Sequence, residues 1–288
     1  MLPGDWHVPL AELAISKKTH FVSSSYISPE MRNLNNAAIE AEVALINEIG
    51  LDPGIDHLMA HKLVKDFKKS ELINAETAVS FLSYCGGVPK TPNEFKYKFS
   101  WSPLGVLKAL KSPSRSIKDF EDFEVNRPWN AITSYNAPLN NPEEFEVYPN
   151  RDSLPFIEQY DFDHNWKIKQ FVRGTLRLKG WSKAWAGIFN EIETLHGVAG
   201  EKRLIEMSEQ FWQDNAYSEN EPDRVILCVD LKAEINKQII WHKTYKMDAW
   251  GDNRGTAMAR LVSYPVSFAV KAIIDDDIDH GVSAASNK

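Results

Sequence analysis

Three arginines, Arg151, Arg173 and Arg177, sit in or beside strand-like, apolar stretches, YPNRDS at 148–153 and RGTLR at 173–177. A guanidinium in such surroundings needs a planar anionic partner, and a bidentate carboxylate is the usual one. Two partners meet the need: a ligand with several carboxylates, or some of the chain's own 40 acidic residues. Arg173 and Arg177 are an even number of residues apart and share one strand face, with Thr175 between them, so they serve one ligand or one ion-pair network.

Asp52 lies between an apolar run and the helix that begins near Gly54, where it orients an amine, takes a proton, or simply caps the helix. Tyr26 follows the preceding apolar run and reads either as a ligand contact or as an aromatic covering a sheet edge. His57 and His61 have a spacing that grips zinc on a helix. However, the general-base Glu that would follow the first His is missing and no third ligand is evident, so no metal site is assigned. Cys85, read as ending a strand beside Gly86-Gly87, has no identifiable His partner and is taken as a packed or substrate-facing thiol. Cys228 alternates with Ile226 and reads as core or sheet surface. No G-x-G-x-x-G or phosphate-loop pattern occurs.

The elements that must position these residues fall into two textures. Residues 20–28 read as a buried strand, followed by a helix capped by Ser28 and led by Pro29. Residues 43–49 read as a second strand, 50–54 as a turn and 55–68 as a helix. Strand, helix, strand, helix is half of a doubly wound parallel sheet. The chain opens on a loop and a helix at 9–18, so the sheet is expected to lack its first half. From residue 73 the segments are β-rich, at 75–85, 96–101, 167–179 and in a hairpin at 224–247 turning near Asn236, which predicts a mixed or antiparallel sheet. Helices are expected at 103–111 (capped by Ser102), 182–196, 201–215 and 256–275, the last kinked at Pro265; 127–150, rich in Pro and Asn, reads as loop, and 281–288 as a mobile tail. The fold class is therefore α/β: a partial Rossmann-like parallel sheet plus an α+β domain with a mixed sheet. The division is 1–72, with 255–277 packing back on it, and 73–254.

The chain's 288 residues suffice for a core without staples, and 43% apolar with 25% charged residues is ordinary for a folded soluble chain. A net charge of −7 opposes nucleic-acid and anionic-membrane partners. Two cysteines suit a reducing compartment, and the cytoplasm is the expected location. Residues 257–274, interrupted by Arg260, Pro265 and Lys271, are read as failing to form a membrane span.

Six blocks in register resemble one family: SSYISP (24–29), NEIGLDPGIDH (47–57), FLSYCGG (81–87), YKFSWS (97–102), YPNRDS (148–153) and RGTLR (173–177), with a weaker echo, SYPVSFAVKAI, at 263–273. They resemble saccharopine reductase, the NADP-dependent, L-glutamate-forming saccharopine dehydrogenases of lysine metabolism. The resemblance implies a Rossmann domain, a catalytic domain whose sheet helps form a homodimer, and a substrate lying between the domains. It implies substrate contacts at Ser25, Tyr26, Asp52, Cys85, Arg151, Thr175, Leu176 and Arg177, and nicotinamide neighbours at Pro3, Ser24, Leu51, Asp52 and Ser100. Asp52 and Cys85 are the candidates to steer protons as saccharopine is interconverted with L-glutamate and 2-aminoadipate 6-semialdehyde using NADP(H).

Two departures from the family pattern shape further expectations. The family's glycine-rich amino-terminal strand has no counterpart, so the NADP(H) site is expected to be incomplete and the chain to be a fragment, or one begun at an internal methionine, which alone is inactive. Residues 181–217 are shorter than in the fungal form, which resembles bacterial relatives. The alternatives are a non-catalytic ligand-binding or dimerisation remnant, and an imine reductase like carboxynorspermidine or homospermidine synthase.

Overall fold

A computed structural model describes residues 4–74 and 76–284. Along the chain come α1 (His7–Ser16), β1 (Phe21–Val22), α2 (Pro29–Asn33), α3 (Asn35–Glu40), β2 (Ala44–Asn47), α4 (Ile55–Lys68), β3 (Ala78–Pro89) and α5 (Pro103–Lys111). Then follow β4 (Ser114–Lys118), β5 (Glu121–Val125), β6 (Thr133–Ala137), β7 (Glu143–Pro149), α6 (Pro155–Gln159), β8 (Lys167–Leu178), α7 (Trp181–Thr194) and α8 (Gly197–Asn215). The last elements are β9 (Asp223–Ile235), β10 (Gln238–Trp250), α9 (Ala257–Ile274) and β11 (Gly281–Ala284). The chain divides into two compact units, residues 1–61 with 259–288, and residues 62–258.

The first unit is a parallel three-stranded sheet in the order β1-β2-β11. All four residues of β2 are buried, because alternate side chains enter two different cores. Leu45 packs with Ala11, Met31, Ala38 and Val43 under α1, α2 and α3, while Ala44 and Ile46 pack with Ile49, Ala269, Val266 and Ile273, the last three from α9. Helices on both faces of a parallel sheet give the α/β architecture expected from the strand-helix alternation. Ser28 caps α2 as its sequence predicts, accepting the Met31 N–H at 3.1 Å with Pro29 in the first turn. The strand expected over 20–28 shrinks to two residues, since the polar SSS run leaves the sheet at once, and the single helix expected after it breaks into α2 and α3 at Leu34.

α9 is one run of helix with Pro265 inside it. Its three interruptions do not exclude it as a membrane span by composition: it is long and apolar enough to cross one by length and composition alone, and Phe268 and Ile274 are 70% and 76% exposed. The expectation that these residues disqualify it is thus corrected.

The second unit is a mixed sheet in the order β10-β9-β3-β8-β4-β5, with β7 on β8 and β6 on β7. β3 and β8 are parallel and every other pair is antiparallel. One edge of β8 is shared, by β4 at Gln170 and Phe171 and by β7 from Gly174 to Leu178. The β9–β10 hairpin turns at Asn236 and Lys237, both at positive φ (49° and 67°), the geometry of a two-residue hairpin loop. One face of the sheet buries Tyr84, Phe145, Val147, Leu176, Leu178 and Cys228, and another cluster sets Tyr148 against α5, α7 and α8 through Leu107, Trp181, Trp185 and Leu204.

Two readings of this unit are corrected. The stretch 127–150 is not a loop: it holds the β6–β7 hairpin, whose strands set polar residues between Ala137, Phe145 and Val147 of the core. The stretch 96–101 is not a strand. It is loop with a single bridge from Phe99 to Ala216, and its Tyr97 and Phe99 are apolar because they fill the helical cluster.

Candidate functional site

The first unit brings Tyr26 and Asp52 together. Tyr26, on the polar exit from β1, donates its hydroxyl to Asp52 Oδ1 at 3.0 Å. Asp52 stands in the turn after β2, which is closed by Gly50 N–H donating to Pro53 O at 2.9 Å. A Cβ on Gly50 would lie 2.9 Å from the Cβ of Ser24, so glycine is what lets the two strand exits approach. The turn amide of Gly54 donates to Asp56 Oδ1 at 2.7 Å, at the start of α4.

Beneath this pair lies a buried staple that sequence reasoning missed. Glu48 Oε1 accepts the Ile27 N–H at 3.0 Å, and Glu48 Oε2 lies 3.2 Å from His57 Nε2, while His57 Nδ1 lies 3.4 Å from Asp56 Oδ2. The chain segment carrying Tyr26, the end of β2 and the start of α4 are thereby joined. The signal for it was the packing of acids and His57 into a single short block, NEIGLDPGIDH. Ser25 is half-buried, its N–H taken by Ser23 Oγ at 3.0 Å and its carbonyl accepting the Glu48 N–H; Ser24 is half-buried and Leu51 buried. Pro3 lies outside the described residues.

The second unit gathers Cys85, Thr175 and Arg177. Cys85 is a register partner of Thr175 across the parallel β3–β8 pair, and Tyr148 is the partner of Thr175 across β7–β8. Close approach is again made by glycine: a Cβ on Gly86 would sit 2.3 Å from the Leu176 carbonyl oxygen, and one on Gly174 2.5 Å from that of Tyr148. Cys85 does not end its strand, which runs on through Gly86-Gly87 to Pro89.

Arg177 is 6% exposed. Its guanidinium carbon lies 4.6 Å from the ring centroid of Tyr97, 5.4 Å from that of Trp181 and 5.7 Å from that of Tyr148. Its Nε has no hydrogen-bond partner, Nη1 reaches the Leu176 carbonyl only at 3.4 Å, and among the described residues no carboxylate forms an ion pair with it. Burial works against the charge, but the Tyr148 and Tyr97 hydroxyls and the Cys85 thiol outweigh it and hold the pKa above the usual arginine value. Burial in turn raises the Tyr148 phenol, partly offset by Arg177. A permanent cation is thus kept in an aromatic sleeve, with cation–π attraction where a salt bridge is usual.

The other predicted residues are placed differently. Arg173 is buried, with its guanidinium carbon 4.0 Å from the Phe156 ring centroid. Arg151 is exposed, at φ 56° in the bend after β7, so burial does not explain it; its carbonyl accepts the Arg115 N–H at 2.8 Å. The Leu176 side chain is wholly in the core with Val147, on the face opposite Arg177, which leaves only its main chain to meet a ligand. Ser100 is half-buried in the loop before α5. The sleeve residues Tyr97, Tyr148 and Trp181 carried no predicted role, although the first two stand inside the motifs YKFSWS and YPNRDS.

The chain is 39% identical over 184 residues to saccharopine dehydrogenase [NADP(+), L-glutamate-forming] of Pyricularia oryzae, a match covering 63% of this chain and 39% of that protein. It is 35% identical over 195 residues to the mitochondrial alpha-aminoadipic semialdehyde synthase of Mus musculus, covering 65% of this chain and 20% of that one. The chain spans less than half the length of these curated relatives. Apo saccharopine dehydrogenase (L-Glu forming) from Saccharomyces cerevisiae superposes with a TM-score of 0.76 at 27% identity, over 99% of this chain and 78% of that one. The homospermidine synthase of Legionella pneumophila shares the fold alone, with a TM-score of 0.57 at 10% identity over 98% of this chain and 69% of that one. The family model of the saccharopine dehydrogenase C-terminal domain matches residues 50–287, and the chain belongs to that family.

Proposed function

We propose that this chain is the substrate-holding part of an NADP-dependent oxidoreductase acting at the secondary amine of saccharopine in lysine metabolism. The observation that carries the reading is Arg177, a buried guanidinium in an aromatic sleeve that no acid of the described chain neutralises. A saccharopine carboxylate supplies the missing anion, in a setting where a charge-assisted pair is strong. A polyamine substrate brings ammonium groups to the same cation, which disfavours the homospermidine-type alternative.

In this reading, carried from the family resemblance, the substrate contacts are Ser25, Tyr26, Asp52, Cys85, Arg151, Thr175, the Leu176 main chain and Arg177. Asp52, which accepts the Tyr26 hydroxyl, is the first candidate to take a proton from the substrate amine or from water, and Cys85 is the second. NADP(H), when bound, takes or gives the hydride at the carbon bearing the secondary amine. Ser24 and Leu51 suit its nicotinamide end, since they stand just beyond β1 and β2, where open parallel sheets bind nucleotides. Ser100 and Pro3 belong to the same proposal. These 288 residues contain no glycine-rich phosphate cradle, so the residues named here are proposed for the nicotinamide end only. A homodimer built through the second sheet and a cytoplasmic location complete the reading.

Calorimetric titration of the chain with saccharopine and with NADPH tests it. Binding of saccharopine, strengthened by NADPH, is expected. Indifference to saccharopine refutes the assignment, and binding of saccharopine without any response to NADPH reduces the chain to a ligand-holding remnant.

A further inference from the structure

Glu146 of β7 and Arg177 of β8 are directly opposed in strand register, so their side chains leave the sheet on the same face. An ion pair is the ordinary outcome for an opposed acid and base, yet none forms here. Glu146 Oε1 instead accepts the N–H of Gly180 at 2.9 Å, and Oε2 accepts that of Ser182 at 2.7 Å. These are leading amides of α7, which have no partner inside the helix and favour a negative charge. Between them stands Trp181, fully buried, stacked on Tyr148 with centroids 5.3 Å apart and flanking the guanidinium. Two donors of the cluster, Arg177 Nε and Trp181 Nε1, are buried with no acceptor among the described residues.

We propose that Glu146 is a positioning residue: by binding the leading amides of α7 it seats Trp181 against Arg177 and withholds its own charge from the guanidinium, which keeps Arg177 open to a ligand carboxylate. The inference rests on the reading of Arg177 as a carboxylate site. The recruited ligand group is one carboxylate of an amino-acid-like molecule, sized for a single guanidinium fork.

The test uses the whole chain labelled with 15N-arginine, following the side-chain Nε–Hε resonance of Arg177, assigned by its loss in Arg177→Lys. The sleeve's rings shift that resonance away from those of exposed arginines. Glu146→Gln keeps the shape without the charge, and Glu146→Asp keeps the charge but is one methylene too short to hold both amides. In both variants the Arg177 resonance is expected to move toward the exposed position as Trp181 loosens. In Glu146→Asp saccharopine affinity should also fall about tenfold or more, because an internal carboxylate now competes for the same charge-assisted pair. A merely structural role predicts a lowered melting temperature with the Arg177 resonance unmoved, and that result in either folded variant overturns the proposal. If Glu146→Gln does not fold, Glu146→Asp decides by the same resonance. If the unsubstituted chain ignores saccharopine while the resonance responds as stated, the functional reading fails and the positioning role stands.

Discussion

The guanidinium of Arg177 stands 4.6 Å from the ring centroid of Tyr97, where an acidic partner would usually be found. If that fork grips a carboxylate in two parallel hydrogen bonds, Arg177→Lys will not replace it, because an ammonium is a point charge without the planar fork. Saccharopine affinity in Arg177→Lys should fall by about 1.5–3 kcal/mol, close to the loss in Arg177→Ala. Calorimetry on both variants checks this, and wild-type affinity in the lysine variant would show that charge alone suffices.

Tyr26→Phe removes the hydroxyl that donates to Asp52 Oδ1 and keeps the ring. Saccharopine binding should weaken by about 0.5–1.5 kcal/mol, the ordinary worth of one such bond, with the melting temperature nearly unchanged. A large drop in melting temperature with unchanged affinity would make the pair a fold element rather than part of a binding site.

Burial pushes the Cys228 thiol up to about 11 from its ordinary 9.0. The native chain should therefore keep Cys228 protonated and inert to a disulfide reagent at pH 8, and Cys85→Ser should leave no rapidly reacting thiol. The unfolded chain ionises first, so the contribution of this thiol to stability is whole below pH 9 and is lost as the pH rises toward 11. Denaturant titrations should show Cys228→Ala losing stability less steeply than wild type over that interval, and parallel slopes would contradict the assignment.

Trp185 is fully buried, its ring 4.8 Å from that of Phe95 and 5.1 Å from that of Trp181, and its Nε1–H donates to the Phe95 carbonyl at 2.9 Å. Trp185→Phe leaves that carbonyl without its donor and should cost about 1–3 kcal/mol, whereas Trp185→Ala opens a cavity and should cost about 3–5 kcal/mol. Urea unfolding of both variants measures the difference. Equal losses would mean that the hydrogen bond contributes little.

Local physics made much of the fold legible. Ser28 and Ser102 cap the helices their positions announce, and the Asn236 turn and the buried run of β2 follow from composition and period. What failed was long-range. Tyr97 and Phe99 carry a strand-like pattern because they fill a helical core, and β6 and β7 look like loop because polar residues interrupt their apolar ones. The chemistry-bearing types, Arg177, Thr175, Asp52 and Tyr26, could be picked out by type and spacing. The sleeve could not, because Tyr97, Tyr148 and Trp181 meet Arg177 through the pairing of β7 with β8 and the docking of α7, which no periodicity within one segment encodes.

A crystal structure of the chain grown with saccharopine is the most direct trial of the carboxylate-receptor claim. The account predicts one ligand carboxylate with both oxygens within about 3.2 Å of Arg177 nitrogens, inside the intact sleeve. Saccharopine seated elsewhere, or Arg177 turned to one of the protein's own acids, would contradict it.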